Sequence, residues 1–419
     1  MKKITLSIIC GLLFISFANR STNAQTPTSA AGTVDSTFTP GGKFNAQFFG
    51  DLFYKMHADT LGRGSGQYSG GGPATPNVPR TAWDFQIRRI YLGYNYDISK
   101  SFTTEFLLAY EEGNIGGAIT GATSTAGKAT LDIQGERSVY VKLANIQWKN
   151  IYSNATLVFG AQATPGYVFT SEAVWGYRSI EKTLTDKNGI IKSSDLGLGL
   201  RGAFNDARDF GYDLLLADGT GQTLPNVASV NAKNKKLYVD LWGKFMDKKI
   251  VVQAYFDDQQ TSDLPLSKNS TTLKFFAAYA TTPLTIGAEL FMQTNTNAVA
   301  DSNFAAGKTE TVSSKPFGFS VFATAQIVEN CLNVFARYDS FDPDNNYLNS
   351  GVKYSTAGYG STLSKESFIV AGLDWTPYKN VHIMPNIWYD GYSNKNTNLT
   401  DRQLSDNDIV PRLTFFYKF

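Results

Sequence analysis

Histidine and cysteine, the usual carriers of nucleophilic and metal chemistry, are scarce here: the 419 residues hold two of each, His57 and His382, Cys10 and Cys331. A hydrolytic site needs a histidine-based nucleophile or an activated water, and neither histidine stands in an HExxH or Ser-x-Gly context. No CxxC pair or histidine-rich tract suggests a metal, and nothing else in the chain calls for a cofactor. What recurs instead is charge on one face of apolar–polar alternation. Arg89, Lys142, Arg201, Lys274, Arg337 and Arg412 fall in one phase, with Glu105, Glu289 and Asp339 among them. Between 164 and 194 come Arg178, Lys182, Lys187 and Lys192, set against Glu172, Glu181 and Asp186. Such a set does electrostatics rather than covalent chemistry: lining a wet passage, it would sort small ions by sign. For any one of these charges the plainer reading is a neutralised pair on a polar wall.

The elements that must carry these charges have a period of two. Alternation marks sixteen stretches, near 43–56, 83–96, 102–112, 137–148, 155–163, 195–204, 210–217, 236–246, 249–258, 271–280, 284–293, 316–327, 331–340, 366–376, 380–390 and 410–419. In the eighth, Leu237, Val239, Leu241, Gly243 and Phe245 oppose Lys236, Tyr238, Asp240, Trp242 and Lys244. Most of these runs are long for soluble strands and suit a tilted strand crossing a bilayer, which takes about 9–11 residues. At Arg88 and Arg89 the phase slips, since Phe85 and Ile87 share one parity and Ile90 and Leu92 the other. A bulge there would let either arginine face inward.

The connections alternate. Asp97–Ser101, Lys149–Asn154, Asn205–Asp209, Asp247–Lys248, Thr281–Pro283, Val328–Asn330 and Pro377–Lys379 are short; 57–82, 113–136, 164–194, 218–235, 259–270, 294–315, 341–365 and 391–409 are long. Short turns on one side and long loops on the other are the rule for barrels of outer membranes. An open sheet edge is not tolerated in hydrocarbon, so the strands must close. His57 and His382 then sit at opposite rims, which disfavours their joint use in catalysis. Aromatic residues gather at the short turns, such as Tyr94, Tyr96 and Phe102 at one and Trp375 and Tyr378 at another, as an interfacial girdle would.

The chain opens with Lys2 and Lys3, an apolar run from Ile4 to Ala18, and Thr22 and Ala24 spaced for a signal peptidase, so residues 1–24 read as a signal peptide. Removing them takes three of the 38 basic residues and none of the 36 acidic, leaving a net charge of −1. That balance points to no nucleic acid. One cysteine, Cys331, remains, so no internal disulfide can form. Residues 25–42 would be a short periplasmic segment and 43–419 the barrel. The last residue is Phe419, preceded by aromatics at 415, 416 and 417, the kind of end that outer-membrane assembly machinery reads.

The expected fold is therefore all-β: a transmembrane antiparallel up-and-down barrel of about sixteen strands. Loop 164–194 is the longest, and its Val168, Phe169, Val174 and Trp175 need burial, so it should fold inward. Phe276, Phe291, Phe322, Phe335, Trp242 and Trp388 also take the inward phase. If they filled the interior, the barrel would be a closed structural or adhesin-like one.

Several segments carry a family likeness. WDFQIRRIYLGYNY at 83–96, followed by DISKSFTTEFLLA, resembles the early hairpin of the phosphate-selective porin family, the porin O and porin P group, with its paired arginines. FGAQATPG at 159–166 looks like the entry to that family's third outer loop, and SIEK at 179–182 like the loop's Ile-Glu-Arg segment. DLGLGLRG at 195–202, DLLLADGTG at 213–221 and FARYDSFDPD at 335–344 resemble later strands. The resemblance implies a trimeric, sixteen-stranded outer-membrane porin whose third loop narrows the pore. Lys182 stands where the family pattern has arginine, retaining charge without the bidentate fork, so phosphate specificity does not carry over. The expectation is passive diffusion of small hydrophilic solutes or ions with a mild anion preference. Arg89, Lys142, Arg178, Lys182, Lys192, Arg201, Lys274, Glu289 and Arg337 would line the pore or its constriction.

Overall fold

The computed structural model describes residues 38–59, 81–111, 139–152, 154–222, 234–262, 267–300, 311–346, 364–395 and 405–419. The signal peptide expected at 1–24, and the tips of most long loops, lie outside the described residues.

Strands β1 (Gly41–Tyr54), β2 (Trp83–Asp97), β3 (Phe102–Glu111), β4 (Tyr140–Tyr152), β5 (Ala155–Ala163), β6 (Ser194–Ala203), β7 (Phe210–Ala217) and β8 (Lys236–Phe245) follow one another as antiparallel neighbours. They continue through β9 (Ile250–Ser262), β10 (Lys268–Ala280), β11 (Leu284–Ala300), β12 (Thr311–Ser314), β13 (Phe317–Val328), β14 (Leu332–Asp342), β15 (Ser364–Tyr378), β16 (Val381–Asn394) and β17 (Ser405–Lys418). β1 pairs with both β2 and β17, from Gln47↔Lys418 to Phe53↔Arg412, so the sheet has no edge. β12 and β13 are one stave: β12 pairs with the outer end of β11 and β13 with the rest, with Lys315 and Pro316 between them. Proline has no N–H for a ladder and interrupts the strand there. Counted so, the barrel is the expected closed antiparallel one of 16 strands.

All sixteen expected stretches are strands, but several run further outward than the alternation indicated. β9 continues to Ser262, β11 to Ala300 and β16 to Asn394, and β17 begins at Ser405. The added residues are mostly Thr, Asn, Ser, Asp and Gln on both faces, as in Thr294–Asn297 and Ser405–Asp408. Beyond a hydrocarbon slab nothing selects apolar side chains, so the ladder persists where the sequence signal fades.

Within the slab the two faces differ sharply. On β8 Leu241 is 49% exposed and its neighbour Asp240 only 2%. The same outward exposure holds for Leu198, Leu216, Phe275, Ile286, Val321, Ile369, Ile387 and Phe415. Apolar side chains this exposed on every stave suit lipid, while the polar ones turn inward. Short turns use left-handed residues: Met246, Asp247 and Lys248 take φ of 52°, 57° and 66°, and Asn330 and Asn380 take 55° and 65°.

The phase slip at the paired arginines is a bulge. Phe49 pairs with Arg89 and Gly50 with Ile87, leaving Arg88 as the extra residue. Both arginines turn inward, at 0% and 1% exposure, so the bulge delivers two guanidinium groups rather than one to the interior. Gly50 permits it: a Cβ there would lie 2.3 Å from the Gln86 carbonyl oxygen.

Leu241→Arg, which places a cation on the apolar outer face, should cost about 2–4 kcal/mol at mid-bilayer depth. Reversible denaturant unfolding of the barrel in lipid vesicles measures this; a neutral substitution would place Leu241 away from lipid.

Candidate functional site

Residues 164–194 leave β5 and return to β6 through a neck closed by the Thr164 N–H to the Ser193 carbonyl, 3.1 Å. Within lie two short helices, α1 (Ser171–Trp175) and α2 (Leu184–Lys187). Gly176 ends α1 in the left-handed region, φ 72°, with its N–H on the Glu172 carbonyl at 2.9 Å. Of the apolar residues expected to need burial, Trp175 is buried and Val168 and Val174 are half-buried against the inner face of the barrel, but Phe169 is 47% exposed, so its ring is left uncovered beside Arg201. Trp175 and Ile180 pack among Phe276, Phe322, Phe335, Phe368, Val370, Met384 and Trp388. Tyr167 and Ile191 pack on Leu215, Ala217, Tyr238 and Tyr255. The loop is rooted on β5 and β6 yet touches β14, β15 and β16, so it crosses the interior to the far wall.

This seat accounts for most of the inward aromatics. Phe276, Phe322, Phe335 and Trp388 are the floor on which Trp175 and Ile180 rest. The Trp175 ring meets Phe322 edge-on at 5.1 Å, and Tyr177 lies 4.6 Å from Phe335. Phe291 is buried as well, and Trp242 is half-buried.

The polar contacts centre on four successive carbonyls. Arg89 Nη1 donates to Arg178 O at 3.4 Å and Arg88 Nη1 to Ser179 O at 3.0 Å. Ile180 O accepts from Arg88 at 2.6 Å and from Arg412 Nη2 at 3.1 Å. Glu181 O accepts from Trp175 Nε1 at 3.0 Å and Arg337 Nη1 at 3.3 Å. Each of Arg88, Arg337 and Arg412 also has a carboxylate. Asp51 lies 3.5 Å from Arg88 and 3.4 Å from Arg412, and Asp339 takes Arg337 at 2.6 Å. The Arg412 guanidinium stacks 3.7 Å over Trp388.

The charges picked out in the sequence divide into groups. Arg178 bridges Glu172 and Asp186, the latter at 2.7 Å, and comes within 3.9 Å of Glu111. Lys142 also pairs with Glu111, and Arg89 stands opposite Glu111 in the β2–β3 register. Lys274 and Glu289 pair at 3.3 Å at the loop's root, where Lys274 also donates to Gly166 O at 2.6 Å and Ser171 Oγ at 2.8 Å. Arg201 is apart from these, its guanidinium 5.1 Å from the Phe169 ring. Lys192 is exposed at the loop's return to β6. Among the described residues, Arg89, Lys182, Lys192 and Arg201 make no ion pair, and neither do the wall carboxylates Asp213 and Asp240. Burial, aided by Arg89 and Arg178, lowers the Lys182 ammonium below its ordinary value, against Asp186. Burial would raise the Glu181 carboxyl, but Arg88, Arg89, Lys187 and Lys182 outweigh it and hold it at about 2.

Asp51 and Glu111 belong to this site although the sequence reading did not single them out for it, and where the phase slip allowed either Arg88 or Arg89 to face inward, both do. The parity of Phe49, Asp51 and Phe53, all buried, carried the signal for Asp51. The two histidines stay apart: His57 Nδ1 lies 2.6 Å from Asn407 O, and His382 Nδ1 2.8 Å from Asp374. No group of three or more metal-ligating side chains forms among the described residues.

No protein-family profile matches the sequence, and no curated protein does. Solved structures do. OmpF of Salmonella typhi, solved in complex with daunomycin, is 14% identical over 90% of this chain and 97% of its own, with a TM-score of 0.54. The anion-selective porin from Comamonas acidovorans is 12% identical over 91% of this chain and 100% of its own, TM-score 0.54. The outer-membrane channel DcaP of Acinetobacter baumannii is 11% identical over 92% and 99%, TM-score 0.54. The chain shares the fold of these porin barrels.

Because the folded value of Glu181 lies below the ordinary 4.5, its charge stabilises the fold above about pH 4.5, and the contribution is lost as pH falls toward 2. Glu181→Gln should therefore cost about 1.5–3 kcal/mol at neutral pH, the range for a charged hydrogen bond. Denaturant unfolding of wild type and variant should show the gap constant from pH 7 to 5 and closing toward pH 2. A gap that did not change between pH 7 and pH 2 would mean that Glu181 titrates at its ordinary value in the folded barrel.

Proposed function

We propose that this chain is an outer-membrane porin of a Gram-negative bacterium, through which small hydrophilic solutes and ions diffuse passively. The observation that carries the reading is loop 164–194 crossing a barrel with a polar inner wall, because such a loop narrows a passage rather than lining an open bore. The leading segment 1–24 serves export, and Phe419 engages the assembly machinery of the outer membrane. The likeness in fold to OmpF, DcaP and the Comamonas porin supports the same reading, and a homotrimer fits it.

Selectivity in this account is mild and anionic. Most cations near the loop are balanced by a carboxylate, as Lys142 is by Glu111 and Lys274 by Glu289. The imbalance comes from Lys182, Lys192, Arg201 and Arg89, and it is opposed by Asp213 and Asp240. The resemblance to phosphate-selective porins extends to the loop segment 179–182, but Lys182 lacks the bidentate fork of the family's arginine, so the proposal stops at a mild anion bias without phosphate specificity. No covalent step is involved.

Single-channel recording of the refolded barrel in a planar bilayer under a salt gradient tests the reading. Discrete conductance steps and a reversal potential on the anion side are expected. Lys182→Glu should move that potential toward cations. A folded, heat-modifiable barrel that never conducts would overturn the porin proposal, and an unmoved potential would remove Lys182 from selection.

A further inference from the structure

We infer that Arg88, Arg337 and Arg412 are positioning residues, which hold the loop across the barrel by donating to its backbone and do not present charge to a solute. The inference deepens the porin reading, since the loop's position sets the width of the passage.

The loop's chain at 178–181 lies against a wall whose own N–H groups are already used in the strand ladder. Its carbonyls therefore need side-chain donors. A guanidinium has five donors in a fixed plane and can serve several acceptors at once. Arg88 uses this fully: it reaches Ser179 O, Ile180 O, the Glu181 carboxylate at 3.4 Å and Asp51. Arg412 reaches Ile180 O, Asn386 Oδ1 at 2.8 Å and the same Asp51. Asp51 on β1 thus joins the bulge arginine of β2 to the arginine of β17, and the two converge on one carbonyl. Arg337 completes the set at Glu181 O while bound in bidentate fashion to Asp339. All three are at most 4% exposed and each has a carboxylate partner, so little of their charge is left for a passing ion.

Charge and geometry separate through lysine. If these residues act by charge, lysine replaces them; if they act by spanning several acceptors, lysine fails as glutamine does. The loop is reported by Ser179→Cys, a small change at a position 5% exposed, with Cys10 and Cys331 replaced by serine. In the refolded full barrel this thiol should react slowly with a water-soluble maleimide. In the R88K/R412K double variant, and equally in R88Q/R412Q, it should react about tenfold faster or more, as expected when charged hydrogen bonds are lost. R337K, which leaves Asp51 and its two arginines intact, should give a smaller increase and provides the test if the double variants do not fold. Labelling as slow in folded R88K/R412K and R337K as in the parent would overturn the inference. Faster labelling in the glutamine variant alone would overturn it too, in favour of a charge effect. The labelling readout needs no conductance, so a barrel that passes no current would defeat the porin reading without deciding this one. Where current is measured, the double variants should conduct more than the parent.

Discussion

Backbone N–H and C=O groups deprived of water must find partners, and this protein meets that constraint twice. Along the wall the answer is closure: β1 pairs with β17 as well as β2, so every stave has a neighbour on each side. In the interior the answer cannot be another strand. The loop that crosses there turns on itself at Tyr177, whose carbonyl accepts from the Ile180 and Glu181 N–H groups at 2.9 and 3.1 Å. The next four carbonyls, at 178–181, are met by arginines on inner-facing positions of β2, β14 and β17. The bulge in β2 follows from the same need, since regular alternation would have sent Arg88 to the outer face.

Placing several guanidinium groups in one interior brings an electrostatic cost that carboxylates offset. Asp51, Glu111, Glu181, Asp186 and Asp339 each stand beside one or more cations. The result is a nearly balanced wall in which the number of basic residues says little about ion preference. What distinguishes Lys182 is its place on the loop without an ion pair of its own, in a setting where burial already weighs against its charge. A residue so placed responds to an approaching anion more than a paired arginine does.

Much of the fold was legible because a barrel wall imposes a period of two, and each of the sixteen staves carries it through most of its length, with a slip at Arg88 and Arg89 that marks the bulge. The outer extensions of β9, β11, β16 and β17 were not, because both faces there meet water and composition no longer alternates. For the loop, the apolar residues at 168–175 indicated burial, but their seat depends on distant strands. Phe335, Phe368 and Trp388 are more than a hundred residues away, and no local pattern joins them to Trp175. The interior charges illustrate the limit best. Alternation assigned Arg337 and Arg412 to the inner face, yet a period of two gives a direction, not a partner. That Arg412 meets Ile180 and Asp51, 232 and 361 residues away, follows only from closure of the barrel and the path of the loop.

Amide hydrogen exchange on the refolded barrel tests most directly whether the loop's backbone is held inside. Peptides covering 175–191 should retain deuterium protection approaching that of the strand peptides of β14 and β15, because the N–H groups of Gly176, Ile180, Glu181, Lys182, Thr185 and Lys187 to Ile191 are bonded and the segment is pinned by arginines at the carbonyls of 178–181. Exchange of those peptides at the rate of an unstructured chain, while the strands stay protected, would contradict the account.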